Sequence, residues 1–242
     1  MTYCLAVQVR RGLILASDSR TNAGMDNVGT FCKMHLFERA GDRMLAVLTA
    51  GNLAVSQAVI HRLRREFNHA GGGFNDAEDL TAAAEYLGDV SVAEQNRHGD
   101  AMARSGVSAE ASFILAGQIN GASHGACLVY PQGNHIEATD ETPYLQVGET
   151  KYGKPILDRI IEPDTTLDDA ARCALVSLDS TIRANISVGP PLDLAIYAAD
   201  SLTGPRRLTL GPDHPLYLGI KNGWNTGLKR AFLELPRFDW ER

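Results

Sequence analysis

A strand pattern begins at the second residue of this chain, and it constrains the fold more than any other feature. In "TYCLAVQV" the residues Tyr3, Leu5, Val7 and Val9 alternate with smaller or polar ones, the period of two of a half-buried strand. The turn "RRG" leads straight into "LILAS", so the chain opens on a β-hairpin with Thr2 at its head. Chain ends fray unless something ties them, and a first strand inside a sheet is such a tie. A turn centred on Arg10-Arg11 sets Thr2 across from Ser19. One centred on Arg11-Gly12 sets it across from Thr21. Either register brings Asp18 within a few residues of that head.

Beyond the hairpin, "TFCKMHLFE" and "RMLAVLT" read as a third and a fourth strand, and four strands in succession predict an antiparallel sheet. In "AGNLAVSQAVIHRLRREF" Leu53, Val55, Val59, Leu63 and Phe67 recur at helical spacing, with Asn52 as the cap. A second helix is expected from "NDAEDL" through "TAAAEYLGDVSVAEQN". Strands return at "ASFILAGQI", "ACLVY" and "HIEAT". "YGKPILDRII" and "TLDDAARCALVSLDSTIRA" read as a short and a long helix, the latter capped by Asp164 or Thr165, and "LDLAIYAAD" and "RRLTL" close a second group of strands. This order predicts an α+β fold of four layers, helices outside and two sheets inside. No repeat or linker divides residues 1–242, which read as one domain with a C-terminal tail from about 219, rich in aromatic residues at "GWNTGLKRAFLELPRFDWER".

Composition removes several function classes. A net charge of −6 and the lack of a Lys/Arg stripe longer than "RLRREF" speak against a nucleic-acid partner. No apolar run approaches the roughly 20 residues a membrane span needs. The arginines follow the first apolar stretch instead of preceding it, which is not the order of a signal peptide, so a cytoplasmic protein is expected. Cys4, Cys32, Cys127 and Cys173 form no C-x-x-C pair and read as small apolar fillers. "AGGGF" lacks the lysine of a phosphate loop, and the seven histidines show no ligand spacing.

Chemistry can gather near the head of the hairpin. Asp18 ends "LILAS", where a carboxylate could simply satisfy the turn "SDSRTNAG". Lys33 stands inside the apolar run "TFCKMHLFE", whose alternation puts Phe31, Lys33, His35 and Phe37 on one face. Lysine is rarely buried unless paired, and its other reading is an edge-strand lysine that blocks aggregation. Asp18 offers the pairing. In "LTAGNLA" a strand runs into a helix through Gly51, where backbone N–H groups at a helix start and a residue without Cβ would let a substrate carbonyl come close.

Thr2, Asp18 in "ASDSRTNAG", Lys33 in "FCKMHLF" and Gly51 in "TAGN" together resemble the proteasome β-type peptidases of the N-terminal nucleophile superfamily. "TYCLAVQV", "TFCKMH", "VGETKYGKPILDR" and "SVGPPLDL" are more closely similar to the Anbu family, the bacterial ancestral β-subunits, over nearly the whole chain. The resemblance implies a four-layer αββα sandwich and a threonine-type amide hydrolase. Loss of Met1 would expose Thr2, whose hydroxyl is the nucleophile and whose α-amine is the base. Lys33 would keep that amine neutral, Asp18 would orient Lys33, and the Gly51 N–H would receive the oxyanion. Where classical proteasome β-subunits carry an Asp-x-x-Ser loop, this chain reads Ala184-Asn185-Ile186-Ser187. Where they carry Ser-Gly beside the amine, it reads Glu149-Thr150. Ser187 and Glu149 are the corresponding site residues, and Thr21, Thr30, Met44 and Thr49 would line the substrate pocket. The family also implies self-association into a ring or open spiral, a peptide or amide substrate, an ATP-dependent partner left open, and no metal or organic cofactor. An amidase or acyl transferase of the same fold, or an idle ring-forming module, are the other readings. Lys33→Ala separates the idle module, which would lose no turnover.

Overall fold

The computed structural model describes residues 1–22, 28–69 and 71–241. β1 (Tyr3–Val9) and β2 (Gly12–Asp18) form the opening hairpin, with Cys4 opposite Ser17 and Val9 opposite Gly12. This is the first of the two registers, the one that sets Thr2 across from Ser19. Gly12 has φ +138°, and a Cβ there would lie 2.0 Å from the Tyr197 carbonyl oxygen, so the turn admits no side chain.

The four expected strands do not form one sheet. β1 and β2 lie in a five-stranded sheet, while β5 (Met34–Arg39) and β6 (Arg43–Gly51) lie in another, and a small ladder of β3 (Arg20–Asn22) with β4 (Val28–Thr30) falls between them in the chain. After α1 (Leu53–Phe67) and α2 (Leu80–Arg104) the second sheet is completed by β7 (Ala111–Ile119), β8 (Gly125–Val129) and β9 (His135–Glu137), in the order β5-β6-β7-β8-β9. β10 (Tyr144–Gly148) returns to the first sheet beside β1. α3 (Lys154–Ile160) and α4 (Leu167–Ala184) follow, and then β11 (Leu192–Ala198) and β12 (Arg206–Leu210) give that sheet the order β10-β1-β2-β11-β12. α5 (Pro215–Leu233) ends the set.

Alternation along β1 explains the layering. Tyr3, Leu5 and Val7 face outward onto Leu175 and Leu178 of α4, while Cys4 and Ala6 face inward. The inner faces meet as a second cluster in which Leu13 and Leu15 pack with Met44, Ala46, Leu48 and Ile114. Phe113 and Leu115 point the other way, onto Leu63 of α1 and Leu87 of α2. Each such fully buried aliphatic side chain contributes about 1.5–3 kcal/mol relative to exposure. The result is the expected αββα order.

Several local expectations are corrected. α2 starts at Leu80 with Asp79 as cap, because the residues ahead of it form a short turn that buries Phe74. α4 is capped by Thr166, whose Oγ1 accepts from Asp169 N at 3.1 Å, not by Asp164 or Thr165. β10 was not expected. Cys32 is exposed, unlike the other three cysteines, so it fills no core. The supposed tail is largely the helix α5, which buries only Tyr217 and leans on α4 across an apolar groove of about 820 Å³ lined by Val176, Trp224 and Leu228. The turn "SDSRTNAG" runs beyond residue 22, outside the described residues. Among the described residues no helix is long and apolar enough to cross a membrane.

Candidate active site

Asp18 ends β2 fully buried, and Lys33, 4% exposed, reaches it from the second sheet. Lys33 Nζ donates to Asp18 Oδ1 at 2.6 Å and to the Arg20 carbonyl at 2.6 Å. Asp18 also accepts from Tyr3 N at 3.0 Å and Gly189 N at 3.1 Å. Three donors from distant parts of the chain converge on one carboxylate, so Asp18 does not merely satisfy its own turn. Burial pushes its carboxyl above the ordinary carboxylate range, opposed by the Lys33 charge and by the two backbone N–H groups. Lys33 itself lies just ahead of β5, not within a strand as the alternation suggested, and its carbonyl accepts from Thr49 N at 3.0 Å. It is a buried, paired lysine and not an edge guard.

Thr2 extends β1 and, by alternation, shares the inward face of Cys4 and Ala6. Its carbonyl accepts from Glu149 N at 2.7 Å. The chain passes closest at Gly148, with φ +86°, where a Cβ would lie 1.9 Å from the Thr2 oxygen.

Gly51 is the last residue of β6, and the structure revises the reason for a glycine there. Its φ is +99° and a Cβ would meet the Glu110 carbonyl at 2.4 Å, so a neighbouring strand, not an incoming ligand, excludes the side chain. At the helix start Ala54 N and Val55 N are already bound by the Asn52 side chain, at 3.0 and 3.2 Å. The Gly51 N–H is different. Asn52 N bonds to Glu110 of the β7 side and Thr49 N bonds to Lys33, so strand alternation directs Gly51 N–H toward the Lys33 side.

The remaining expected residues divide. Arg20, which holds Lys33 through its carbonyl, pairs with Thr30, and Thr21 pairs with Gly29, so both threonines border the acid–lysine pair. Thr49 is buried and shares the face of Val47, toward α1. Met44 is fully buried in the core between the sheets, at the far end of β6 from Gly51. Glu149 is buried, and its Oε2 accepts from Asn185 Nδ2 at 2.9 Å, while Asn185 Oδ1 accepts from Ser187 N at 2.9 Å. Asn185 and Gly189 were therefore overlooked as contact residues. Gly189 lies within "SVGPPLDL", a segment the resemblance rests on, but nothing in the sequence shows that its amide reaches Asp18.

Gly148, which lies against Thr2, also borders a cavity of about 620 Å³ on the β10 side, bounded with it by Gly51, Ser112, Leu128 and Tyr130. Among the described residues no group of three or more His, Cys, Asp or Glu side chains is arranged to hold a metal ion.

Two face-to-face antiparallel sheets between helical layers, with the first strand starting beside this cleft, make the chain a proteasome-like N-terminal nucleophile sandwich. Solved structures narrow the class. Anbu from Yersinia bercovieri is 43% identical with a TM-score of 0.92, the match covering 98% of this chain and 99% of that one. The helical assembly of the Anbu complex from Pseudomonas aeruginosa is 43% identical at a TM-score of 0.92, with 98% of each chain covered. An Anbu Gly-1 mutant from Hyphomicrobium sp. strain MC1 is 39% identical at 0.91, covering 99% of this chain and all of the other. The chain belongs to the Anbu family. No protein-family model and no curated protein matches it.

Proposed function

We propose that this protein is a threonine-type amide hydrolase whose nucleophile is Thr2 after removal of Met1. The observation that carries the reading is the buried Asp18–Lys33 pair, held at the head of β1 by Tyr3 N and Gly189 N. Burying a lysine at such a place is costly and stabilises nothing that an apolar pair would not. A reaction accounts for its presence.

With Met1 gone, the α-amine of Thr2, ordinarily near pKa 7.7–8.0, is deprotonated in part at neutral pH. It takes the proton from its own hydroxyl as Oγ1 attacks the substrate carbonyl, and the positive charge of Lys33 favours the neutral amine that can do so. The carbonyl electrons move to the oxygen, which the Gly51 N–H receives. Collapse breaks the C–N bond, and the leaving nitrogen takes the proton from the Thr2 ammonium, leaving an ester on Oγ1. Water, deprotonated by the same amine, then releases the acid and restores the hydroxyl. Any residue ahead of Thr2 makes its nitrogen an amide and removes the base. Met1 is 64% exposed and open to an aminopeptidase.

The reading includes self-association. α5 exposes Leu228 at 50%, Phe232 at 71% and Leu233 at 70%, an apolar face without a partner among the described residues, and the Pseudomonas aeruginosa relative forms a helical assembly.

The test is the intact mass of the purified protein after incubation with a peptide epoxyketone, which needs a free terminal amine beside a hydroxyl for its double adduct. The expected mass lacks Met1 and carries one inhibitor, and Lys33→Ala takes none. A chain that has lost Met1 and takes no inhibitor would sink the hydrolase reading.

A further inference from the structure

We infer that the cavity beside β10 binds the leaving half of the substrate, the segment that departs as the amine, and that it prefers an apolar or aromatic first residue there. This rests on the hydrolase reading above and adds to it the identity of a second binding site.

The argument is one of flanks. In the first sheet β1 has β2 on one side and β10 on the other; in the second, β6 has β5 on one side and β7 on the other. Asp18 at the end of β2 and Lys33 ahead of β5 join the two sheets on one flank, and Thr21 and Thr30 border that pair. On the opposite flank β10 packs against β7 and β8, and there the sheets part to form the cavity. Thr2 lies between, extending β1, with Gly51 at the end of β6. A linear amide whose carbonyl is attacked by Thr2 runs to both sides of it. With the acyl half held by the threonines beside the acid–lysine pair, the other half falls on the β10 flank.

What waits there is suited to it. Leu128 lies on the inward face of β8 and Val147 on that of β10, and with Tyr130 and Pro131 they give an apolar lining. Ser112, two residues before inward-facing Ile114, lies across the space. The volume of about 620 Å³ falls inside the roughly 300–1,000 Å³ of ordinary ligand sites. Glu110 is the single charged residue among those that bound it, so an acidic first residue is disfavoured.

The experiment uses the mature protein and two peptidyl α-ketoamides with one acyl segment, one ending in a methylamide, the other continuing beyond the ketoamide with phenylalanine amide. Each is scored by how well it protects Thr2 from epoxyketone labelling. The extended compound is expected to protect at least tenfold better than the short one. Ser112→Trp, which fills the cavity, should bring that ratio close to one, whereas Ser112→Ala, which leaves the space open, should keep it. Equal protection by both compounds in the unaltered protein, or a ratio that Ser112→Trp leaves untouched, overturns the proposal while the hydrolase reading stands. Failure of the epoxyketone to label Thr2 at all overturns both.

Discussion

The two flanks of Thr2 are built on opposite principles. On the β2 side the acid–lysine pair is fully bonded: Asp18 has three donors, Lys33 two acceptors, and both are almost wholly buried. On the β10 side the chain leaves open space of about 620 Å³, bounded by Gly51, Gly148 and side chains such as Ser112, Leu128 and Tyr130. A buried network resists substitution because each lost partner strands another group in low dielectric. An open pocket can change its lining without unfolding anything. Chemistry placed on the first flank is thereby held constant, and choice of substrate on the second is free to vary.

The sharpest break comes from Lys33→Ala. It strands the Asp18 charge in the interior and should cost about 3–5 kcal/mol, read as a lowered urea midpoint. Tyr3 N and Gly189 N bond to separate oxygens of Asp18, so in Asp18→Asn/Lys33→Met the asparagine oxygen keeps one of the two bonds; part of the stability should return while inhibitor labelling does not. Stability recovered together with labelling would deny the pair its chemical role.

A second contrast is read by pH. His35, partly buried in β5, accepts from Arg64 at 3.1 Å if its Nδ1 is unprotonated, and burial with the neighbouring Arg64 charge lowers its pKa from 6.5 to about 4. Between those values the unfolded chain binds the proton and the folded one does not, so stability is full above about 6.5 and falls on acidification toward 4. The loss attributable to His35 is at most about 3 kcal/mol. Urea titrations at pH 7 and 4.5 on the protein and on His35→Gln should show a smaller difference for the variant.

Asn185→Ala tests how firmly the first network reaches across to the second flank, since Asn185 links Glu149, which holds Thr2, to Ser187. A loss of about 1–2 kcal/mol is expected, seen as faster hydrogen exchange in the segment after α4. The smallest effect on folding belongs to the cavity: Ser112→Ala should change the urea midpoint by no more than about 0.5 kcal/mol equivalent. A large loss there would mean that the β10 flank is bound into the fold as tightly as the β2 flank.

What the sequence disclosed follows the same division. The hairpin, the helix capped by Asn52 and the pairing of Asp18 with Lys33 were legible, because they rest on local periodicity and on the rarity of buried lysine. The assignment of β1 and β5 to different sheets was not, since it depends on contacts between segments far apart in the chain. β10 was missed because five residues ending in a glycine carry little periodic signal. Gly51 was noticed for an incomplete reason: its lack of a Cβ answers to Glu110. The cavity was invisible, being assembled from positions near 51, 112, 130 and 148 that meet only in the fold.

α5 carries a consequence for dilute solution. Ordering its nineteen residues costs on the order of 1–2 kcal/mol each in backbone freedom, and the helix buries one side chain, Tyr217, whose hydroxyl reaches Asp179 at 2.8 Å. Helices with so little tertiary support are marginal in water. If neighbouring copies cover its apolar face, dilution withdraws that support, and α5 should fray at low protein concentration while the sandwich stays folded. Amide exchange along 215–233, followed as a function of concentration, would then report how many of the copies have company.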